Sequence, residues 1–146
     1  MKYEEIVADL KAGKYAPIYF LSGEESYFLD DIATRIEKNA LTEDEKAFNQ
    51  TILYGNDVSM TTVTDTARRF PMMSQRQVVI VKEAQQLRGL DKLSLYMQSP
   101  SPTTILVLCH KERNMDKRWQ LYKQIEAKGV VFESIPPRDY ELPAWI

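Results

Sequence analysis

The chain has 146 residues, of which 44% are hydrophobic, and this length and composition fit one globular domain with its own core. Its charge is nearly balanced, with 19 Lys and Arg against 21 Asp and Glu, so it lacks the basic excess that holds a phosphate backbone. No apolar run approaches the roughly 20 residues that span a bilayer, and the first ten residues do not form a signal sequence. We therefore expect a cytoplasmic protein without a membrane partner that contacts DNA at most indirectly.

Helical and strand patterns alternate along the chain, which predicts an α/β fold with a five-stranded, mostly parallel sheet and helices on both faces. The first helix has apolar residues at the spacing i, i+3, i+4, i+7 and ends at Gly13. Further helices are predicted at residues 26–41, 61–69, 90–98 and 116–128. Short apolar runs predict strands at residues 17–21, 48–54, 77–81, 104–109 and 130–133.

The end of the chain is unusual for a complete protein. We expect the domain to span residues 1–135 and residues 136–146 to be a linker or the start of a next domain. The last two residues, Trp145 and Ile146, are large and apolar, and no polar tail follows them. This pattern is typical of a fragment cut where another domain begins, and the alternative is that both side chains pack back onto the core.

The turn after the first strand is the usual nucleotide site in a sheet of this kind, because a glycine loop and a helix N-terminus present N–H groups to phosphate. Here the turn contains Ser22, Gly23, Glu24 and Glu25, with one glycine and no lysine. Ser22 and Glu25 have the spacing of a capping box, whose side chains would take the donors that a phosphate needs. Because the two carboxylates would also repel a triphosphate, we predict a degenerate nucleotide site that stays empty.

The end of the third predicted strand gives a second argument against ATP hydrolysis. Lys82 and Glu83 follow an apolar strand, as an Asp-Glu pair does in P-loop ATPases, where it holds magnesium and the hydrolytic water. Lys82 stands where the Asp would be, and a cation opposes metal binding there. The alternative interpretation is that both residues are simply solvated at a strand end.

Other catalytic sites are not indicated by the sequence. The only cysteine, Cys109, lies in an apolar run and is interpreted as a core residue. The only histidine, His110, supports neither a metal cluster nor a serine triad, and is interpreted as a surface or strand-end residue. The acidic runs at residues 30–31 and 43–45 are interpreted as solvated faces. We therefore predict no catalytic residue, no metal site and no cofactor.

The segment from residue 68 to residue 77 is the most unusual part of the chain. Its proline should stop the preceding helix and hold the next residues extended, which places Met72 and Met73 in a loop. The pair could form an exposed, adaptable hydrophobic plug framed by arginines, or one methionine could pack inward beneath the helix. The candidate binding residues are Arg68, Arg69, Phe70, Pro71, Met72, Met73 and Arg76.

Residues 18–25, 70–81 and 142–146 together resemble the delta subunit of bacterial DNA polymerase III, and the resemblance runs in register along the whole chain. It implies a three-layer, P-loop-NTPase-like domain of the AAA+ type without a working ATP site. It places the first strand between the fourth and the fifth, and it implies that a helical lid and a collar domain follow in full-length members.

The resemblance also implies a role for the two methionines. In this family two adjacent hydrophobic residues at this place plug a pocket on the beta sliding clamp, and they fall on Met72 and Met73, where Leu or Phe is common. The function implied is that of a non-catalytic clamp-loader subunit that helps to open the clamp for loading during replication. Its other partners would be the gamma/tau and delta-prime subunits. The alternatives are an interaction module of a non-replicative AAA+-like assembly and a cryptic ATPase.

Overall fold

The computed structural model describes residues 2–111 and 119–134. Its helices are α1 (Tyr3–Lys11), α2 (Ser26–Asn39), α3 (Glu43–Asn49), α4 (Met60–Ala67), α5 (Leu93–Gln98) and α6 (Trp119–Lys128). Its strands are β1 (Ile18–Gly23), β2 (Gln50–Tyr54), β3 (Gln77–Lys82), β4 (Thr104–His110) and β5 (Val130–Ser134). Within these described ranges, no helix is long and apolar enough to cross a bilayer.

The five strands form one parallel sheet in the order β2-β3-β4-β1-β5. The predicted position of β1 between β4 and β5 is therefore confirmed. Because all strands run in the same direction, their last residues share one edge of the sheet and their first residues share the other. We call these the carboxyl edge and the amino edge.

Helices cover both faces of the sheet, so its strands are buried on both sides and read as continuous apolar runs. Alternate strand residues contribute to two separate cores: Phe20 belongs to the first and Tyr19 to the second. Helices α4, α5 and α6 pack on the first core, and α1 and α2 pack on the second. The predicted three-layer α/β architecture is confirmed.

Helix α3 was not predicted, and the strand expected at residues 48–54 begins only at Gln50. A capping box starts this helix: the Thr42 side chain accepts from the Glu45 N–H, and the Glu45 carboxylate accepts from the Thr42 N–H. Carboxylates in the first turn also favour the helix through its dipole. Phe48 and Asn49 are therefore helical, although they precede a run of strand-forming residues.

Smaller differences concern the ends of elements. The helix predicted at residues 90–98 consists of a 3₁₀ turn, Leu90–Lys92, followed by α5. The expectations for residues 116–118 and for the linker at residues 136–146 lie outside the described residues.

The interpretation of Cys109 as a core residue is confirmed, because its side chain is buried and burial raises the pKa of its thiol to about 12. His110 is the last residue of β4, as one of the two interpretations predicted. It is buried beside the Phe20 ring, so the interpretation of it as a surface residue is wrong.

The interpretation of residues 30–31 as a solvated face is wrong for Asp31. Its carboxylate accepts hydrogen bonds from the Tyr3 hydroxyl at 2.5 Å and from Arg35 at 2.9 Å. Burial would raise the pKa of Asp31, but these hydrogen bonds lower it overall.

Gly23 provides a test of how closely β1 and β5 approach. Its φ is +125°, and an added Cβ would lie 2.3 Å from the Ser134 carbonyl oxygen, whereas Gly13, with φ +76°, has open space around it. We expect Gly13→Ala to cost about 1 kcal/mol of unfolding free energy through its left-handed backbone alone. Gly23→Ala should cost about 3 kcal/mol, because it must also push the strands apart. Urea denaturation of both variants measures the difference, and equal losses would contradict the close approach.

Candidate functional site

The carboxyl edge holds the predicted nucleotide turn, but the predicted capping box is wrong. Ser22 is fully buried within β1, opposite His110 of β4 and Glu133 of β5, and its hydroxyl lies 3.4 Å from the Phe132 carbonyl oxygen. Helix α2 begins only at Ser26, and its N-cap residue, Glu25, makes no side-chain capping bond. The strand simply continues further than the sequence indicated, because it pairs with neighbours on both sides. Glu24 and Glu25 are exposed in the turn ahead of the helix.

The end of β3 forms a network of charges with the end of β4. Glu83 has a left-handed backbone and accepts a hydrogen bond from Gln85 at 2.7 Å. The Lys111 ammonium lies 4.0 Å from the Glu83 carboxylate and 3.9 Å from that of Asp30. These pairs are partly exposed and contribute little stability, but they place a cation of the chain itself between two acids at this edge. Lys82, the last residue of β3, is half-buried.

This network gives Glu83 protein partners, so the interpretation of it as a solvated strand end is incomplete. Within the described residues, no group of three His, Cys, Asp or Glu side chains could hold a metal ion. The expectation that the turn binds no nucleotide stays a prediction.

The amino edge carries the methionine loop, which we define as residues 68–76 between α4 and β3. The side chains of Phe70, Met72 and Met73 are 87%, 60% and 99% exposed. Both methionines therefore lie outside the core, and the alternative in which one packs inward is wrong. Exposure of adjacent large apolar side chains is typical of a surface that binds a partner.

Asn49, the last residue of α3, fixes the middle of the methionine loop. Its side-chain amide donates to the Met72 carbonyl at 2.8 Å, and its carbonyl oxygen accepts from the Met72 N–H at 2.6 Å. Asn49 is 3% exposed, so both bonds are partly buried although Met72 itself is exposed. Met73 then has φ +56°, a left-handed conformation that few residues other than glycine adopt. The exposed tip is therefore held in one unusual conformation.

A second contact joins α3 to the loop after the methionines. The Ser74 hydroxyl donates to the Glu45 carboxylate at 2.5 Å, and the Arg76 N–H donates to the same hydroxyl at 3.3 Å. The hydrogen bond from Ser74, together with those from Thr42, lowers the pKa of Glu45. The interpretation of residues 43–45 as a solvated face is therefore wrong for Glu45.

The three arginines of the loop differ in their surroundings. Arg68 donates to the Ser99 carbonyl at 2.6 Å and lies 4.7 Å from the Tyr96 ring centroid, which ties it to α5. Arg76 stacks over the Tyr15 ring. Arg69 is exposed, and the hydrogen bonds and ion pairs among the described residues do not include its side chain. Arg68 is also exposed but is tied to α5, and Arg76 is half-buried, so the three arginines frame the loop in different ways.

Sequence reasoning missed the residues that support the loop. Besides Asn49 and Glu45, these include Gln77, whose side-chain amide lies within hydrogen-bond distance of the Ala67 and Arg69 carbonyls and closes the end of α4. One signal was that Asn49, directly before β2, and Gln77, the first residue of β3, are polar residues next to runs of strand-forming residues. When such polar side chains are buried, they are usually hydrogen-bonded, often to backbone groups.

Comparisons with known proteins give one consistent result. A family model described as DNA polymerase III, delta subunit, matches residues 19–134. The DNA polymerase III subunit delta of Bacillus subtilis is 29% identical in an alignment of 140 residues that covers 89% of this chain and 40% of that protein. The solved structure of the Bacillus subtilis DNA clamp loader delta protein superposes with a TM-score of 0.83 at 25% identity, over 99% of this chain and 45% of the other. The chain thus spans less than half the length of these relatives.

A more distant structure shows the fold class alone. A DNA polymerase III gamma subunit-related protein of Thermotoga maritima matches with a TM-score of 0.57 at 14% identity, over 97% of this chain and 48% of the other. The sheet order and this similarity place the domain among AAA+-type, P-loop-NTPase-like folds, as predicted.

The role of Asn49 in holding the loop can be tested by hydrogen exchange. Asn49→Ala removes both bonds to Met72 and should lower the free energy of unfolding by about 1–3 kcal/mol, because the partly buried N–H and carbonyl of Met72 lose their partners. The amides of residues 72–74 should lose protection. Asn39→Ala is a matched control, since Asn39 makes one exposed bond to the Arg35 carbonyl. Unchanged exchange in the loop of Asn49→Ala would show that the bonds do not order it.

The contact between Glu45 and Ser74 should make the loop sensitive to acid. The pKa of Glu45 is lowered in the folded chain, so its carboxylate stabilises the fold above the pKa of the unfolded state, and this contribution is lost as the pH falls through the lowered value. NMR shifts of Met73 and Ser74 followed between pH 6 and pH 2 should show a midpoint below the ~4.3 of a free glutamate. Glu45→Gln should abolish the transition, and a midpoint at or above the free value would contradict the contact.

Proposed function

The chain belongs to the DNA polymerase III delta subunit family, and from this premise we propose that the domain binds the beta sliding clamp through Met72 and Met73 and helps to open the ring for loading onto DNA. The observation that carries the proposal is the pair of exposed methionines on a loop that Asn49 holds in place. The description of the Bacillus subtilis relative as a DNA clamp loader protein supports it.

The energetics of the loop suit a plug. Each methionine side chain that enters an apolar pocket gains about 1.5–3 kcal/mol. Because Asn49 and Glu45 already hold the backbone of the loop, binding costs little additional conformational entropy there. A flexible loop with the same side chains would lose part of that gain on ordering. The support from α3 is therefore part of the proposed binding site.

Opening of the ring requires more than attachment. A binding protein shifts an equilibrium only by its different affinities for the two states, so the domain must bind the open clamp more tightly than the closed one. We propose that Met72 and Met73 anchor the domain, with Phe70 and Pro71 beside them. Arg69 would steer the approach, while Arg68 and Arg76 would hold the flanks of the loop to the fold.

The proposed role involves no chemistry in this domain. At the carboxyl edge the turn after β1 lacks the phosphate-binding glycines and lysine, and Lys111 lies between Asp30 and Glu83. Control by ATP would therefore come from other subunits. The proposed contacts with the gamma/tau and delta-prime subunits belong to the longer protein, since this chain spans less than half of its relatives.

Replacing both methionines by serine tests the plug. The double variant Met72→Ser/Met73→Ser should bind purified bacterial beta clamp roughly 100-fold to 10,000-fold more weakly, because two apolar anchors are lost. Its melting temperature should hardly change, since both side chains are exposed. Surface plasmon resonance with and without ATP and magnesium measures the affinity, and we expect no dependence on nucleotide.

Leu95 offers a matched control for this experiment. It is 65% exposed on α5, outside the methionine loop and α3, so Leu95→Ser removes a comparable apolar surface at a residue that is not proposed to contact the clamp. It should leave clamp affinity unchanged. Equal affinities of the native chain and the double methionine variant would reject the plug, and a large loss of melting temperature in the double variant would mean that the methionines stabilise the fold instead.

A further inference from the structure

Exposed apolar side chains are concentrated at the amino edge of the sheet. Among the described residues, seven large hydrophobic side chains are exposed, and three of them are Phe70, Met72 and Met73 of the methionine loop. A fourth, Phe48, is 71% exposed on α3. Because β2 and β3 are neighbouring parallel strands, the residues that precede them lie side by side at this edge. Phe48 therefore belongs to the same part of the surface as the loop.

The contacts of α3 place Phe48 more closely. Glu45, three residues earlier on the helix, accepts a hydrogen bond from Ser74. Asn49, the residue after Phe48, bonds both the N–H and the carbonyl oxygen of Met72. Residues three apart on a helix share a face, so Phe48 flanks the side of α3 that holds the loop. The same bonds attach the loop to α3. Phe48 and the methionines are therefore presented together.

The usual area of a specific protein interface indicates that two methionine side chains cannot provide the whole contact surface. A gain of about 1.5–3 kcal/mol for a buried methionine corresponds to about 60–120 Å² of apolar area at 25 cal/mol per Å². A specific interface buries about 800 Å² on each partner. Most of the contact area must therefore come from surface around the loop. An exposed aromatic ring is the kind of side chain that contributes most per residue at the centre of such an interface.

We propose that Phe48 is a further contact residue for the sliding clamp, so that the binding surface consists of the methionine loop and α3 together. This inference rests on the proposed function, because the partner is the same. The ring of Phe48 packs against the apolar surface of the clamp beside the pocket that takes the methionines. Asn49 is a positioning residue that sets the distance between the two contacts.

Substitution of Phe48 tests the inference. Phe48→Ala should weaken binding to purified beta clamp on the order of tenfold, mainly through faster dissociation. Phe48→Leu should restore most of the affinity, because it keeps an apolar side chain, whereas Phe48→Ser should not. The matched control is Leu95→Ala, which removes an exposed apolar side chain of α5 and should leave the affinity unchanged. Melting temperatures should stay close to that of the native chain for all four variants.

The outcomes separate this inference from the function on which it rests. If the double methionine variant binds weakly and Phe48→Ala binds like the native chain, Phe48 is not a contact and only the inference fails. If the native chain does not bind the clamp, or if the double methionine variant binds as tightly as the native chain, the proposed function fails and the inference fails with it.

A fluorescent label gives a second measurement that does not depend on lost affinity. The chain's cysteine, Cys109, is buried and its thiol pKa is raised to about 12, so a thiol-reactive dye should label Phe48→Cys selectively. An environment-sensitive dye at position 48 should shift its emission to shorter wavelength when clamp is added. The same dye on Leu95→Cys should not shift. No shift at position 48, with binding confirmed by plasmon resonance, would overturn the inference.

Discussion

The proposed binding surface depends on the paired hydrogen bonds between the Asn49 side chain and the Met72 backbone. The amide of Asn49 provides one donor and one acceptor, which is what a neighbouring strand would offer to the peptide groups of an extended residue. These bonds are partly buried and attach the loop to α3. If Met72 and Met73 enter a partner as proposed, little of the free energy gained there would be offset by ordering of the Met72 backbone. The exposed tip behaves as part of the folded domain.

The parallel sheet places the turn after β1 and the methionine loop at opposite edges of the domain. In AAA+-type folds the carboxyl edge is where the phosphate loop would lie, and here Gly23 is pressed against Ser134 while Lys111 lies between two acids. The amino edge presents the methionine loop and Phe48. The two edges differ in their surface groups, and the two buried apolar cores lie between them. This arrangement is compatible with the proposed role, in which the domain binds a partner and other subunits hydrolyse ATP.

Most of the fold could be predicted because local patterns and the global arrangement agree. Strands buried on both faces give continuous apolar runs, and the helices that cover them give the spacing of three and four. Helix α3 was missed because its residues, seven in number, include only one buried side chain, that of Asn49, so it has no apolar stripe. Its capping box at Thr42 and Glu45 was a valid signal, whereas the same spacing at Ser22 and Glu25 was not, since β1 continues through Ser22.

The sequence by itself determined the fold class, the lack of a phosphate-binding motif and the position of the exposed methionines, because proline, glycine and apolar spacing act on nearby residues. The tertiary structure alone decided which residues hold that loop. Asn49 and Met72 are 23 residues apart, and Glu45 and Ser74 are 29 apart. They meet only because β2 and β3 pair side by side in the sheet. Polar contacts of this kind leave no periodic pattern in the chain, since each depends on one donor and one acceptor brought together by folding.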